Sequence, residues 1–424
     1  MKILLDMVGC RLNQSEIEKF AHQLRVAGHK IVSNPAEADM AIVNTCTVTA
    51  SAAADSRKVI RRISSGGCKN IVATGCLSTI DPNQVMQLPS VVELIPNTMK
   101  DGWVERGIDH GESETELNLV RVPLPGKNKR TRAFIKIQDG CDNYCTFCIT
   151  RIARGASRSV AKQNIFDDIT YALSGGVKEI VLTGVNLGSW GKDLENVNNL
   201  PVLINEILNS FTIPRLRLSS IEPWDIDDAL LNILHHSSFC NHFHIPLQSG
   251  CDKTLKRMGR RISSSQFRNL VDRIRALDEN TAITTDIIVG FPGETKDEFK
   301  ESLDFIRDIQ FSGGHVFRYS PRPGTPAFQL TNTVQESLVK DRSKIVRDLI
   351  AGDHMKFMKS NIGKDVNVLW ERSDQLSDSE FQLIGLTRNY ISVVSRSSEN
   401  YENELSHVRL NDFDKKHMLG EIIS

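Results

Sequence analysis

The sequence predicts an α/β protein in three parts. These are an N-terminal doubly wound α/β domain (residues 1–120), a central partial TIM barrel (133–360) and a small C-terminal β-barrel (361–424), with a basic linker at 121–132. Three observations predict this. Apolar runs alternate with polar helical stretches in two separate series, the rhythm that builds parallel sheets. Cysteines and turn residues recur just after those runs. Beyond residue 360 only short strand-like runs separated by turns remain, as in a small barrel. A chain of 424 residues, 40% hydrophobic and 25% charged, has ample core for several domains.

In the first part, Ile3-Leu4-Leu5, Met40–Asn44 and Ile71–Thr74 read as strands, and 14–28 and 50–64 as helices. Cys10 follows the first strand, Cys46 the second and Cys76 the third. In a parallel sheet the carboxyl ends of the strands share one edge, where ligands bind. The three thiols are therefore expected to converge there on an iron–sulfur cluster. Each one singly reads as a small core residue; three at the same place in successive βα turns do not. Cys68, Cys240 and Cys251 read as ordinary thiols.

The linker holds Pro123, Pro125 and Gly126 beside Lys127, Lys129, Arg130 and Arg132. A second βα series follows, with strands at Ala133–Ile137, Glu179–Thr183, Arg215–Ser219, His242–Leu247, Ala282–Val289 and His315–Tyr319. Helical stretches lie at 164–174, 201–211, 226–236, 264–278 and 295–309. Six such units predict an open barrel with its site at the strand carboxyl ends.

After the first of these strands comes Cys141-x3-Cys145-x2-Cys148. Three thiolates this close can hold three irons of a [4Fe–4S] cluster and leave the fourth open to a small molecule. A structural zinc site would want a fourth ligand and paired knuckles. Phe147, just before the third cysteine, is placed to shield one cluster face. The spacing resembles the signature of radical SAM enzymes. A ligand with an amino acid head, a ribose and an adenine needs a ring of amide, carboxylate and backbone groups. Thr183, Gly184, Asn186, Ser220, Glu222, Gln248, Val289 and Gly290, at the further strand ends, are the candidates for S-adenosylmethionine (SAM). Each also reads as ordinary turn chemistry.

Net charge is zero, but residues 121–160 carry nine Lys/Arg and two Asp/Glu, a net of +7. Further basic clusters are Arg57, Lys58, Arg61 and Arg62, and Lys256, Arg257, Arg260 and Arg261. Any one patch reads first as a solvated face, and the three together read equally as a surface for phosphates. Residues 361–424, with strand-like runs at Val366–Trp370, Phe381–Leu386, Ile391–Val394 and Leu405–Leu410, hold seven Lys/Arg against eleven Asp/Glu. No run of 18 apolar residues suggests a membrane span, and the start reads as a strand rather than a signal peptide. A cytoplasmic location with reduced thiols is expected.

Nearly the whole chain resembles the radical SAM methylthiotransferases. Gly9-Cys10-Arg11-Leu12-Asn13-Gln14, Asn44-Thr45-Cys46-Thr47-Val48-Thr49, Ile137–Cys141, Ala153-Arg154-Gly155, Leu182–Gly188 and Ser320-Pro321-Arg322-Pro323-Gly324-Thr325 are most similar to the MtaB branch. Departures are Ile149-Thr150-Arg151-Ile152 after the last loop cysteine, Arg318 where proline is usual and Cys251 where serine is usual. The resemblance implies a C-terminal TRAM domain, tRNA as partner and methylthiolation of carbon 2 of N6-threonylcarbamoyladenosine beside the anticodon. It implies two [4Fe–4S] clusters, on Cys141/Cys145/Cys148 and on Cys10/Cys46/Cys76. SAM would serve as radical source and methyl donor, with an electron donor of unknown identity. Sister branches act on isopentenyladenosine or on a ribosomal protein. Outside this class, an iron–sulfur carrier without catalysis would need no SAM pocket.

Overall fold

The computed structural model describes residues 1–104, 121, 122, 124, 131–195 and 199–423. Lys127, Lys129 and Arg130 lie outside the described residues.

Five parallel strands build the first sheet: β1 (Lys2–Met7), β2 (Lys30–Val32), β3 (Met40–Thr45), β4 (Ile71–Gly75) and β5 (Val91–Ile95), in the order β2-β1-β3-β4-β5. Strand residues alternate between its two faces. Ile3, Leu5, Ile42 and Val72 pack against Ile17, Phe20 and Leu24 of the helix Arg11–Val26. Leu4, Ala41, Val43 and Ala73 pack against Ile60 and Ile63 of the helix Ala50–Ser65. Helices on both faces make the sheet doubly wound, and its order reverses between β1 and β3, the position where such sheets bind ligands. The sequence reading missed β2 and β5: β2 is three residues long, too short to show a period.

The second series opens with β6 (Arg132–Lys136). A short antiparallel pair, β7 (Gln138–Asp139) and β8 (Arg158–Ser159), then brackets the cysteine loop. Strands β9 (Glu179–Thr183), β10 (Arg215–Leu218), β11 (His242–His244), β12 (Ala282–Val289) and β13 (Gly313–Arg318) follow. Their order is β6-β9-β10 and β11-β12-β13, joined by single bridges Leu216–Phe239 and Ser220–His244. Among the described residues no pairing closes β13 onto β6, so the barrel is partial. One large apolar core runs between these strands and their helices, and the helix Glu336–Lys359 covers it beside β13 through Val339, Val346 and Ile350.

The C-terminal barrel is closed: β14 (Asp365–Ser377), β15 (Glu380–Thr387), β16 (Ser392–Ser397), β17 (Leu405–Phe413) and β18 (Met418–Ile422) run β14-β15-β16-β18-β17 around Trp370. It docks under the amino ends of the partial barrel. Arg215 Nη1 donates to Leu386 O at 2.7 Å and Arg217 Nη1 to Arg388 O at 2.9 Å, while Arg217 Nε holds Glu179 at 2.7 Å. Tyr390 stacks on His242 with ring centroids 4.6 Å apart. No described helix is long and apolar enough to cross a membrane.

Candidate active site

The cysteine loop is built by backbone closure. Cys141 N donates to Gly155 O at 3.1 Å, and Thr146 N to Met258 O at 2.9 Å. Gly140 has φ +69°, and a Cβ there would overlap Ala156 O, so only glycine fits. Gln138 ties the loop to the next strand end. Its Nε2 donates to Asp139 O and Gly140 O, both at 2.8 Å, and its Oε1 accepts from Asn186 N at 2.8 Å. Phe147 meets Phe291 edge to face at 6.5 Å within a small apolar cluster with Met258 and Ala327.

All nine cysteines are free. Burial pushes the Cys141 thiol up to about 11, with Cys148 and Cys145 adding to the rise. Burial also raises Cys145, against the opposing pull of Arg260. Arg260 Nη1 stands 3.6 Å from Cys145 Sγ. Glu222 grips this guanidinium at 3.0 and 2.6 Å. Glu222 is thus the carboxylate that fixes a cation beside the cysteine loop.

In the N-terminal domain the three thiols stand at the carboxyl ends of β1, β3 and β4, which are adjacent strands. Cys10 is the residue before the helix Arg11–Val26, and Cys76 opens the helix Cys76–Ile80. Cys46 is pinned by Ser56, whose hydroxyl accepts from Cys46 N at 2.9 Å and donates to Cys46 O at 3.0 Å. Burial pushes Cys46 up to about 11, and the neighbouring Cys76 and Cys10 act in the same direction. The buried Cys46, Cys141 and Cys145 thiols resist ionisation, and bound iron cations are what would favour their thiolates. Both sets therefore fit iron–sulfur ligation. Among the described residues no three His, Cys, Asp or Glu side chains close on a single ion, but a cubane spreads its ligands more widely than one ion does.

The SAM candidates divide. Thr183 and Asn186 are buried at the end of β9, and Asn186 Oδ1 is a buried acceptor without a partner. Ser219 Oγ is another such atom beside Ser220. Gln248 has φ +73° and joins β11 to β12 by Gln248 N to Asp286 O at 2.8 Å. Gly184 sits against Gln138. Val289 and Gly290 are tied into the strand end by their backbone. Val289 O accepts from Tyr319 N, Gly290 N donates to Glu294, and a Cβ on Gly290 would strike Val339. Packing of the helix Glu336–Lys359 and a φ of +73° both demand that glycine.

The basic patches also change meaning. Arg132 is a correction: its Nε pairs with Glu371 at 2.5 Å and it lies near the Phe134 and Tyr390 rings, so it holds the C-terminal barrel rather than phosphate. Arg260 is buried, and Arg257 pairs with Glu298 at 2.5 Å. Arg62 pairs with Asp6 at 2.5 Å and Lys58 with Asp55 at 3.4 Å.

A buried charge network, absent from the sequence reading, joins the two domains. Arg154 Nη1 donates to Glu16 Oε1 and Asp139 Oδ1, both at 2.9 Å, and Lys100 Nζ to Glu16 Oε2 at 2.7 Å. Burial by itself would raise Glu16, yet Arg154, Lys100 and Lys136 hold its carboxyl well below the usual range.

A partial barrel with a three-cysteine loop at its mouth, joined to a cysteine-bearing doubly wound sheet, defines a radical SAM protein. The description of the Radical SAM superfamily matches residues 135–306, and that of Uncharacterized protein family UPF0004 matches 2–96. The threonylcarbamoyladenosine tRNA methylthiotransferase MtaB of Thermotoga maritima is 36% identical over 87% of this chain and 86% of its own length. The MtaB protein of Bacillus subtilis is 32% identical over 96% and 93%. The tRNA-2-methylthio-N(6)-dimethylallyladenosine synthase of Clostridium tetani is 32% identical over 87% and 84%. Among solved structures, the radical S-adenosylmethionine methyltransferase TsrM of Kitasatospora setae shares the fold, with TM-score 0.57 and 15% identity, covering 77% of this chain and 75% of that one. The chain belongs to the radical SAM methylthiotransferase family, whose members work with an iron–sulfur cluster and SAM.

Proposed function

We propose that this enzyme places a methylthio group on carbon 2 of N6-threonylcarbamoyladenosine beside the anticodon of tRNA, in the cytoplasm. The methylthio transfer in this reading is supported by the pair of cysteine trios, each at a strand-end edge beside the domain junction, and the choice of substrate by the relatives. Relatives named for this activity span most of the chain at 31–36% identity. Cys141, Cys145 and Cys148 would hold one [4Fe–4S] cluster, and Cys10, Cys46 and Cys76 a second. When bound, the first supplies the electron that opens SAM and the second the sulfur, with a second SAM as methyl donor. Asn186 Oδ1, Ser219 Oγ and Gln248 bind and orient the polar end of SAM. Arg260, aimed by Glu222, offsets negative charge at Cys145. The C-terminal barrel keeps water from the barrel floor, and the target base leaves its stack to reach the mouth.

Replacing Cys145 with Ala should abolish 5′-deoxyadenosine formation, with an external reductant as electron donor. Replacing Cys46 with Ala should spare that cleavage and block thiolation; full thiolation by the Cys46 variant rejects the sulfur role. The Clostridium tetani relative favours a second reading, in which the target is isopentenyladenosine. Mass spectrometry of tRNA nucleosides from a deletion strain decides: loss of the methylthio form of threonylcarbamoyladenosine alone supports the first reading. An unchanged tRNA profile with an unmodified ribosomal protein would move the enzyme to the third branch.

A further inference from the structure

We propose that Arg154 is a positioning residue that holds the two cysteine trios in register, so that sulfur at one site lies within reach of the carbon activated at the other. This rests on the two-site reading above and deepens it.

Arg154 ends the short helix Thr150–Arg154 that follows Cys148, and the next residue, Gly155, accepts through its carbonyl from Cys141 N at 3.1 Å. The arginine is therefore anchored to both ends of the cysteine loop. Its side chain is 2% exposed and turns towards the other domain. Nη2 donates to Asn13 Oδ1 at 2.7 Å, and Cys10 Sγ stands 3.8 Å from that same oxygen. Asn13 Nδ2 in turn donates to Val8 O at 2.7 Å and Thr45 O at 3.2 Å, the backbone leading into Cys10 and Cys46. The third thiol is reached from the same short helix. Ala153 O accepts from Asn97 Nδ2 at 2.7 Å, and that nitrogen is 3.6 Å from Cys76 Sγ. Cys10 and Cys76 at their sulfurs, and Cys46 through the backbone before it, are thus tied through one or two side chains to the turn that carries the loop cysteines.

Each domain also has its own apolar core, separate from this junction. What the tie fixes is the relation between the domains. A guanidinium suits the task because its planar fork holds several acceptors at set angles, whereas a lysine offers a point charge. Transfer between two sites depends steeply on distance: a displacement of about 1 Å costs about a hundredfold in rate.

The test compares full-length wild type with Arg154→Lys and, as a milder break at the second tie, Asn97→Ala. Reconstituted proteins are assayed for iron by Mössbauer spectroscopy, for 5′-deoxyadenosine and for methylthio product. Arg154→Lys is expected to keep wild-type iron and SAM cleavage while product per 5′-deoxyadenosine falls about a hundredfold. Asn97→Ala should fall less. Hydrogen exchange on the cluster-free proteins gives an independent readout: Arg154→Lys should speed exchange at residues 9–13 and 150–155 together. Unchanged product per 5′-deoxyadenosine overturns the proposal. So does a parallel loss of iron, cleavage and product in both variants, which is a structural role only. A wild type that cleaves SAM but never thiolates would sink the two-site reading instead. Exchange then decides register, with changes confined to one segment overturning it.

Discussion

Gly140 shows how one residue decides whether the cysteine loop can form. Its φ of +69° lies in the left-handed region, and its α-carbon packs where any side chain would overlap Ala156 O. Gly140→Ala should destabilise the protein by about 1–3 kcal/mol and lower the iron retained on reconstitution, read by denaturant titration and iron assay. The cysteines themselves were legible in sequence because ligand spacing within a turn is local information. Gln138, Arg154 and Arg260 were not. Arg154 meets Glu16 across 138 residues, and Arg260 reaches Cys145 across 115, so no window on the chain contains both partners. Arg260 read as one of a basic cluster, because a surface arginine and one buried beside a carboxylate look alike in sequence.

At the scale of elements, the helix Arg11–Val26 begins immediately after Cys10, three residues before the expected start. Its polar residues at the first turns are buried where the two domains meet: Asn13, Gln14, Ser15 and Glu16 are all nearly inaccessible, and Ser15 Oγ accepts from Lys136 N at 3.0 Å. Periodicity assigns polar residues to solvent, so this face could not be read from one domain alone. Glu16 carries a pH consequence. Burial opposes its charge, but Arg154, Lys100 and Lys136 hold its folded-state pKa well below the ordinary 4.5. The unfolded chain therefore takes up this proton first. The stabilisation is complete above pH 4.5 and is lost as pH falls from there through the folded value. Glu16→Gln should leave a shallower fall in unfolding free energy between pH 5 and pH 3, although it costs stability at pH 7, about 3–5 kcal/mol, by taking the buried carboxylate from Lys100. A variant with an unaltered acid slope would contradict this account.

In the whole molecule, the parallel order of both sheets and the separate C-terminal barrel were legible from alternating runs and turn spacing. The docking of that barrel was not, because it is made by arginines at strand starts meeting backbone carbonyls, which leave no mark in sequence. Its acidic balance suits this place: Glu371 meets Arg132 beneath the partial barrel. Tyr390 is the plug, stacked on His242 and 4.9 Å from the Arg217 guanidinium. Tyr390→Ala should cost about 3 kcal/mol and speed proteolytic release of residues 361–424; an unchanged digestion pattern would deny it that role. The shared carboxylate Glu16 has a last consequence, for protein engineering. A chimaera that grafts residues 1–104 onto a foreign barrel would inherit an acid stripped of two of its three cationic neighbours. A transplant of this sheet should carry Arg154 and Lys136 along with it, so the unit of exchange is the junction and not the domain.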